Sequence, residues 1–406
     1  MLPKLDIKTC DQNKRNDGVV LLTIGRNTRS IRKSSDFEAV IAVDRAGEIV
    51  WHRQFDFCLM DCRYSRQNTL LVMGTDGRAA EIGLDGDLKN LWYCRERFPD
   101  GLDGTPLDTM KLHHVLTELP DGNIASLSIR HHQLQNPEED WNHFMADTVV
   151  IFNRQGSIIE EFSLADTLDP QRFGYGADAP YWANQGWPKT KDWSHANCII
   201  RDPQDGRYLI SMRHQDAVVK VTVEGELVWI LGDPTGWSGK WQEKLLRIDG
   251  GRPFYHQHDL SFTSAGDLML YDNGTAGAFP PNAEQPIEER ESFALAYRID
   301  EEAMVATETW RYGGQDIPYS HYVSGVCELP NGNRFIASTG LRHDLDGYRV
   351  EIPPQGVGAI DLVEVTPEGE RVFHATVSDP SAEPEAGWNG FRPEYVPPEV
   401  SAQLGE

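Results

Sequence analysis

The sequence predicts an all-β chain: a six-bladed β-propeller with four antiparallel strands per blade, a single domain spanning residues 1–406. Three observations predict it. Runs of alternating apolar residues meet at Asp-Gly, Asn-Gly and Glu-Gly pairs, the turn chemistry of hairpins. Two kinds of hairpin alternate along the chain, and the pair repeats six times. Helical periodicity is almost missing. Two packed β-sandwiches would also be all-β, but they do not explain a sixfold repeat.

The blades follow in order. Blade 1 pairs VVLLTI (19–24), behind the turn NKRNDG, with AVIAVDRAGEIVWH (39–52). Blade 2 pairs CRYSRQNTLLVMG (62–74) with AAEIGLDGDLKNLWY (79–93). Blade 3 joins VLTELPDGNIASLS (115–128) to TVVIFNRQGSIIEEF (148–162), and blade 4 joins CIIRDPQDGRYLISM (198–212) to VVKVTVEGELVWIL (218–231). Blade 5 joins DLSFTSAGDLMLYD (259–272) to a degenerate copy, FALAYRIDEEAMVATETW (293–310). Blade 6 joins GVCELPNGNRFIAS (325–338) to IDLVEVTPEGERVFH (360–374). The insert GDPTGWSGKWQEKLL (232–246) reads as a lid, because long inserts on a site face often close over it. Beyond Asp379 the chain is rich in Pro and Glu, so 380–406 reads as an irregular tail, and no strand exchanged between the termini is evident.

Composition narrows the partners. Lys plus Arg is 38 against 63 Asp plus Glu, a net charge of -25. Nucleic acid and anionic membranes need clustered basic charge, so neither is an expected partner. No run approaches the ~18 apolar residues of a membrane helix. The N-terminal MLPKLDIKTCDQNKR has no apolar signal core, so a cytoplasmic protein is expected. The six cysteines form no CxxC pair, and reduced thiols are expected, although Cys58 and Cys62 stand within reach of each other. No GxxxxGK phosphate loop implies a nucleotide, and no cofactor or metal is expected.

The polar residues gather on one face. In an up-and-down meander the start of the inner strand, the loop after the second strand and the exit of the fourth share one end of the propeller. His114 and His258 each precede their turn glycine, Gly122 and Gly266, by eight residues. His195 and His321 each precede theirs, Gly206 and Gly332, by eleven. The second strands end in SIRHH (128–132), SMRH (211–214) and TGLRH (339–343), so up to three Arg-His pairs are expected at the same rim. A lone histidine is most often a surface or satisfied core residue. Four in two registers point to a concave site with titratable groups. Arg213 is a fixed, planar cation suited to a tetrahedral oxyanion, and neutral histidine serves as nucleophile, acid or base. LYDNGTAG (270–277) reads as a plain Asx turn. Trp193 and Trp237 either line an aromatic pocket or pack.

HHVLTELPDGN, DWSHAN with SMRHQD, WILGDP, and QHDLSFTSAGDLMLYDNG together resemble the bacterial arylsulfate sulfotransferases, which use no nucleotide sulfate donor. These motifs span residues 113–274, and the blade count extends the likeness over most of the chain. The resemblance implies a central funnel with three histidines and an arginine, one histidine being transiently sulfurylated. Carried over motif by motif, the catalytic residues are His114, His195 and Arg213, with His258 as the sulfurylated one. Candidates for substrate contact are His113, Asn197, His214, His256, His321, Trp193 and Tyr255. The family's HHD reads His113-His114-Val115 here, and His256 and His321 are additional. The secreted members' signal peptide and extra N-terminal β-domain have no counterpart in this sequence.

The implied reaction moves a sulfuryl group from an aryl sulfate to a phenol. His258 attacks, Arg213 and the other histidines hold the oxygens, and His114 or His195 exchanges the phenolic proton. Two other readings fit the same funnel: a metal-dependent hydrolase or lyase using the histidines as ligands, and a non-catalytic ligand-binding propeller.

Overall fold

The computed structural model describes residues 2–27, 35–135, 140–343, 357–379 and 386–405. Among these, six four-stranded antiparallel units are arranged as blades. Their inner strands are Gly387–Val396, Leu59–Tyr64, His113–Glu118, Ala196–Arg201, His258–Phe262 and Gly325–Glu328. Each inner strand packs against the next and the last packs against the first, so they ring a central channel.

Blades stack face to face, so their middle strands are buried on both sides. This is why Thr69–Gly74, Ala217–Val221 and Leu268–Asp272 are buried almost throughout. The outer strands keep a face in water, as Ile49–Gln54 and Ile158–Ser163 show. In the blade 3 hairpin Gly122, at φ 84°, supplies the left-handed turn, and its N–H donates to Leu119 O at 2.9 Å.

The irregular tail expected over 380–406 is corrected. Gly387–Val396 is the inner strand of blade 1, antiparallel to Val19–Asn27. Pro393 has no N–H to donate, which a strand interior disfavours. It pairs with Leu22, beside a register irregularity between Leu22 and Ile24 where a ladder bond is already lost. A strand is therefore exchanged between the termini, which no local signal in the sequence reveals. At the other end, Asp6–Cys10 adds a fifth strand outside blade 6, against Arg371–Val377.

The insert over 232–246 is not a lid. Trp237 is buried in the core shared by blades 3 and 4, and the Trp241 indole donates to Thr167 O at 3.1 Å. The chain then adds Arg247–Asp249 to the outer edge of blade 5. The segment that does reach the funnel mouth is 164–192, between blades 3 and 4: the Tyr181 ring lies 6.1 Å from that of His195. No disulfide links the six cysteines. Among the described residues no helix is long and apolar enough to cross a membrane.

Candidate active site

The inner strands of blades 3, 4 and 5 all lose register where they enter the channel. His114 (φ 63°), His195 (46°), His256 (55°) and Asp259 (59°) take left-handed backbone there. Such bulges re-aim side chains at the cost of local strain. His114, Asn197 and His258 each stand three residues before the residue paired to the third position after the turn glycine: Thr117 with Ala125, Ile200 with Leu209, Ser261 with Met269. The match of His114 with His258 therefore holds. His195 instead matches His256, both five residues before that reference, whereas His321 falls six before Cys327, the partner of Phe335. The blade 4 turn misled the count. It runs from Asp202 to Gly206, whereas the blade 6 turn is one residue shorter and runs from Leu329 to Gly332.

The rings form a chain across the funnel. Centroids are 5.4 Å apart for His114 and His195, 4.6 Å for His195 and His214, and 5.6 Å for His214 and His256. His195 Nδ1 is held 2.5 Å from Asp192 Oδ2, leaving Nε2 as its other face. Burial alone would raise the Asp192 carboxyl, yet His195 and His214 hold it well below the usual range. His214 donates from Nδ1 to Asp192 O (2.7 Å), so its Nε2 accepts from Arg213 Nη1 at 2.5 Å.

Arg213 opens the short turn after the second strand of blade 4, and its backbone N–H donates to His195 O. Among the described residues it forms no ion pair with a carboxylate, and its Nε is buried without a partner. Burial brings its pKa down to about 10 despite Asp192 and Asp216 nearby.

His258 is 1% exposed. Its Nδ1 faces two acceptors, Asn273 Oδ1 at 2.7 Å and His256 O at 3.1 Å. Asn273 is fixed in turn, because its Nδ2 donates to Ser320 O and Val323 O. Nδ1 therefore carries the proton, and the Nε2 lone pair receives only the Val323 N–H at 3.2 Å. Burial first, then Arg213, pushes the His258 pKa well below its ordinary value, so the ring is neutral. His256 is tied to the wall: Nε2 donates to Tyr175 O at 3.1 Å and Nδ1 lies 3.2 Å from Asp216 Oδ1.

The family model described as Arylsulfotransferase (ASST) matches residues 7–386. The chain belongs to this family. Two curated relatives, both named arylsulfate sulfotransferase AssT, come from Escherichia coli and Lelliottia amnigena. The first is 25% identical over 282 residues, 57% of this chain and 46% of the relative. The second is 26% identical over 281 residues, 58% of this chain and 46% of the relative. The chain thus spans about half the length of the curated relatives it matches. Among solved structures, a hypothetical selenium-binding protein from Sulfolobus tokodaii aligns over 95% of this chain and 94% of its own, at 10% identity and a TM-score of 0.46. That likeness is too distant to bear on the reaction.

Within this member of the family, several expected substrate contacts sit elsewhere. Trp193 is 0% exposed and packs on Phe144 in the core of blades 3 and 4. Asn197 is fully buried and its Nδ2 donates to Gln257 O at 2.7 Å, tying blade 4 to blade 5. The Tyr255 hydroxyl donates to Asp233 at 2.9 Å. His321 stacks edgewise on Tyr319 at 4.7 Å, and His113 lies behind His114. Of the Arg-His pairs whose side chains are described, Arg213–His214 reaches the funnel. Arg130 and His131 are exposed on a strand that overshoots it, His131 stacking on His143, and the Arg342–His343 side chains lie outside the described residues.

Sequence reasoning missed four groups. Asp192 stood inside the quoted DWSHAN motif, and Asn273 inside LYDNGTAG. Asp147 carried no local signal. Arg392 lay in the segment read as tail. Asp259, next to His258 in sequence, bonds to Arg63 and Arg392, at 3.1 and 2.9 Å, and leaves the orienting of His258 to Asn273 and the His256 carbonyl. Asp192, His195 and His214 offer one metal-ligand atom each within 4.8 Å of one another. The Arg213 guanidinium beside His214 sets a positive charge against any cation there.

Proposed function

We propose that this chain transfers a sulfuryl group from an aryl sulfate ester to a phenol through a sulfohistidine on His258. The observation that carries this reading is Arg213: a half-buried guanidinium with a buried Nε and no carboxylate partner among the described residues, facing neutral histidines. A part-buried cation without an ion pair calls for an anion, even in a chain of net charge -25. A planar fork suits the oxygens of a sulfate ester.

The lone pair on His258 Nε2 attacks sulfur as the Val323 N–H lets go. The S–N bond forms, the S–O(aryl) bond breaks, and the leaving oxygen takes a proton from His114 or His195. In the second half an incoming phenol returns that proton and its oxygen displaces His258. Arg213 holds the sulfuryl oxygens in both halves. The small-molecule aryl donor and phenolic acceptor are part of this proposal. So is a cytoplasmic location, supported by the absence of disulfides among the six cysteines.

The test uses 4-nitrophenyl sulfate with and without a phenol acceptor. Donor alone should release a burst of nitrophenol and leave one SO3 increment on the peptide containing Tyr255 to Asp259. His258→Asn should abolish both, and His256→Asn should keep both. An adduct that persists in the His258 variant moves the nucleophile elsewhere, and turnover with no adduct replaces ping-pong transfer with direct transfer or hydrolysis. The Asp192–His195–His214 trio favours a second reading, a metal-assisted hydrolase, which predicts a bound metal ion and activity lost on chelation.

A further inference from the structure

Behind His114 lies a polar chain that the proposed mechanism does not use. His113 points away from the funnel. Its Nε2 lies 3.2 Å from Ser128 O and 3.0 Å from Asp147 Oδ1. A carbonyl and a carboxylate only accept, so this nitrogen carries a proton in every state. Asp147 is 3% exposed and its other oxygen is fully engaged: Oδ2 accepts from Ala196 N at 2.6 Å and from the Ser194 hydroxyl. The remaining nitrogen, His113 Nδ1, stands 2.7 Å from His114 Nδ1.

Two lone pairs do not meet at that distance, so one proton lies between the rings. A neutral His113 already has its proton on Nε2, so the bridging proton belongs to His114 Nδ1. His114 Nε2 is then a bare lone pair. It makes no hydrogen bond among the described residues, and its half-buried ring stands beside His195. This is the tautomer a base needs.

We infer that Asp147, His113 and His114 form a proton-holding chain, in which His114 exchanges a proton with the phenolic oxygen and His113, backed by Asp147, stores it. The inference rests on the sulfuryl-transfer reading. When a phenol gives its proton to His114 Nε2, the Nδ1 proton crosses the 2.7 Å bridge to His113 Nδ1. His113 becomes an imidazolium against the Asp147 carboxylate, and no proton leaves the chain. The free enzyme brings that stored proton to the donor half: it returns across the bridge to His114 Nδ1 as Nε2–H protonates the leaving oxygen and the S–O bond breaks, which leaves both rings neutral. His113 and Asp147 are positioning residues, since neither touches the reacting atoms.

The surroundings of His114 explain why the proton needs a second seat. His113, His195, His258 and Arg392 all face it, and burial followed by these neighbours holds its pKa well below the ordinary value. A proton left on His114 would sit among cationic or cation-prone groups. On His113 it sits against a carboxylate.

The experiment compares wild type with His113→Asn and Asp147→Asn on two donors. Asn at 113 keeps an acceptor for His114 but loses the reach to Asp147. 4-Nitrophenyl sulfate releases a stable phenolate and needs little acid, whereas phenyl sulfate needs it fully. Both variants should lose kcat/KM by about tenfold or more on phenyl sulfate and by less than about threefold on 4-nitrophenyl sulfate. Equal losses on both donors, at any size, overturn the chain. A second measurement stands apart from turnover. Nitrogen NMR of labelled histidines in the free protein, at a pH high enough to empty the chain of its stored proton, should show His114 as its Nδ1–H tautomer and His113 as its Nε2–H tautomer. His114 found as Nε2–H in that state overturns the inference even in an active enzyme. A wild type that transfers nothing, yet shows these tautomers, refutes the sulfotransferase reading and leaves the proton chain standing.

Discussion

Two arginines stand in the same channel and are treated in opposite ways. Arg392, from the C-terminal strand, is 2% exposed and ion-paired to two carboxylates. Its Nε lies 3.1 Å from Asp61, its Nη1 donates to Asp259 (2.9 Å) and Cys198 Sγ (3.0 Å), and its Nη2 donates to His114 O and Asn197 O. Arg63 joins the same carboxylates and adds Glu394. Arg213, at the mouth, has one histidine and a buried Nε with nothing to donate to. Burial works against both charges, but the carboxylates carry the Arg392 pKa above its usual value while that of Arg213 falls to about 10. An ion-paired arginine joins strands from blades 1 to 5 into one plug. One without a carboxylate among the described residues leaves room for a ligand. In a propeller whose inner strands all face one channel, the pairing of each cation separates structure from function.

The largest effect should come from breaking the plug. Arg392→Met leaves three buried carboxylates, Asp61, Asp259 and Glu394, to Arg63 alone, which costs about 3–5 kcal/mol. Urea unfolding should show that loss, whereas Arg213→Met should leave stability unchanged or raised, since it removes a buried charge with no ion-pair partner. Equal destabilisation by the two variants would erase the distinction between plug and mouth. Next in size is Arg213→Lys, which keeps the charge and loses the fork. Activity should fall by about tenfold or more, ~1.4 kcal/mol of transition-state stabilisation, with the melting temperature unmoved. Wild-type kinetics in that variant would make Arg213 a structural residue.

The same comparison explains what was legible in the sequence. Local signals carried the blades, because hairpin turns and apolar alternation are contiguous in sequence. His114 and His258 were found because both stand eight residues before their turn glycines, and His195 and Arg213 because they stand in DWSHAN and SMRH. Arg392 and Asp147 were not, because nothing near them in sequence names their partners: Arg392 meets Asp61 from a strand that closes the ring, and Pro393 disguised that strand. His321 was misplaced because a five-residue turn in blade 4 shifted the count by one. Position along a blade is readable. Which side chains meet across the channel depends on ring closure.

Acid should separate the two regions again. His114, His214, His256 and His258 all have folded pKa values lowered, first by burial. The unfolded chain protonates them near ~6.5 while the folded chain does not. Their stability is present above that pH and is lost as pH falls through the folded values. Asp216, raised to about 8, runs the other way, and its contribution is lost as pH rises towards that value. His256→Asn should therefore flatten the acid limb by one proton, ~1.4 kcal/mol per pH unit, in urea unfolding between pH 6 and 5, roughly the window below the free histidine value. An unchanged slope would mean that His256 is protonated in the folded protein.

The smallest effect belongs to the plug's surplus acid. Two arginines, Arg63 and Arg392, meet three carboxylates, Asp61, Asp259 and Glu394. One negative charge has no cation of its own. Glu394 is the carboxylate whose pKa rises, through burial, against the pull of Arg63. It accepts from Arg63 Nη1 at 2.9 Å and from Tyr64 N at 3.2 Å. A glutamine oxygen can accept from one of these donors without bringing the surplus charge. Glu394→Gln should thus shift stability by no more than about 1 kcal/mol, near the net worth of one hydrogen bond. Asp259→Asn removes the carboxylate that bridges both arginines and should cost several times more. If the two variants destabilise equally in urea, the plug is not one charge in excess, and Glu394 is as fully ionised as its neighbours.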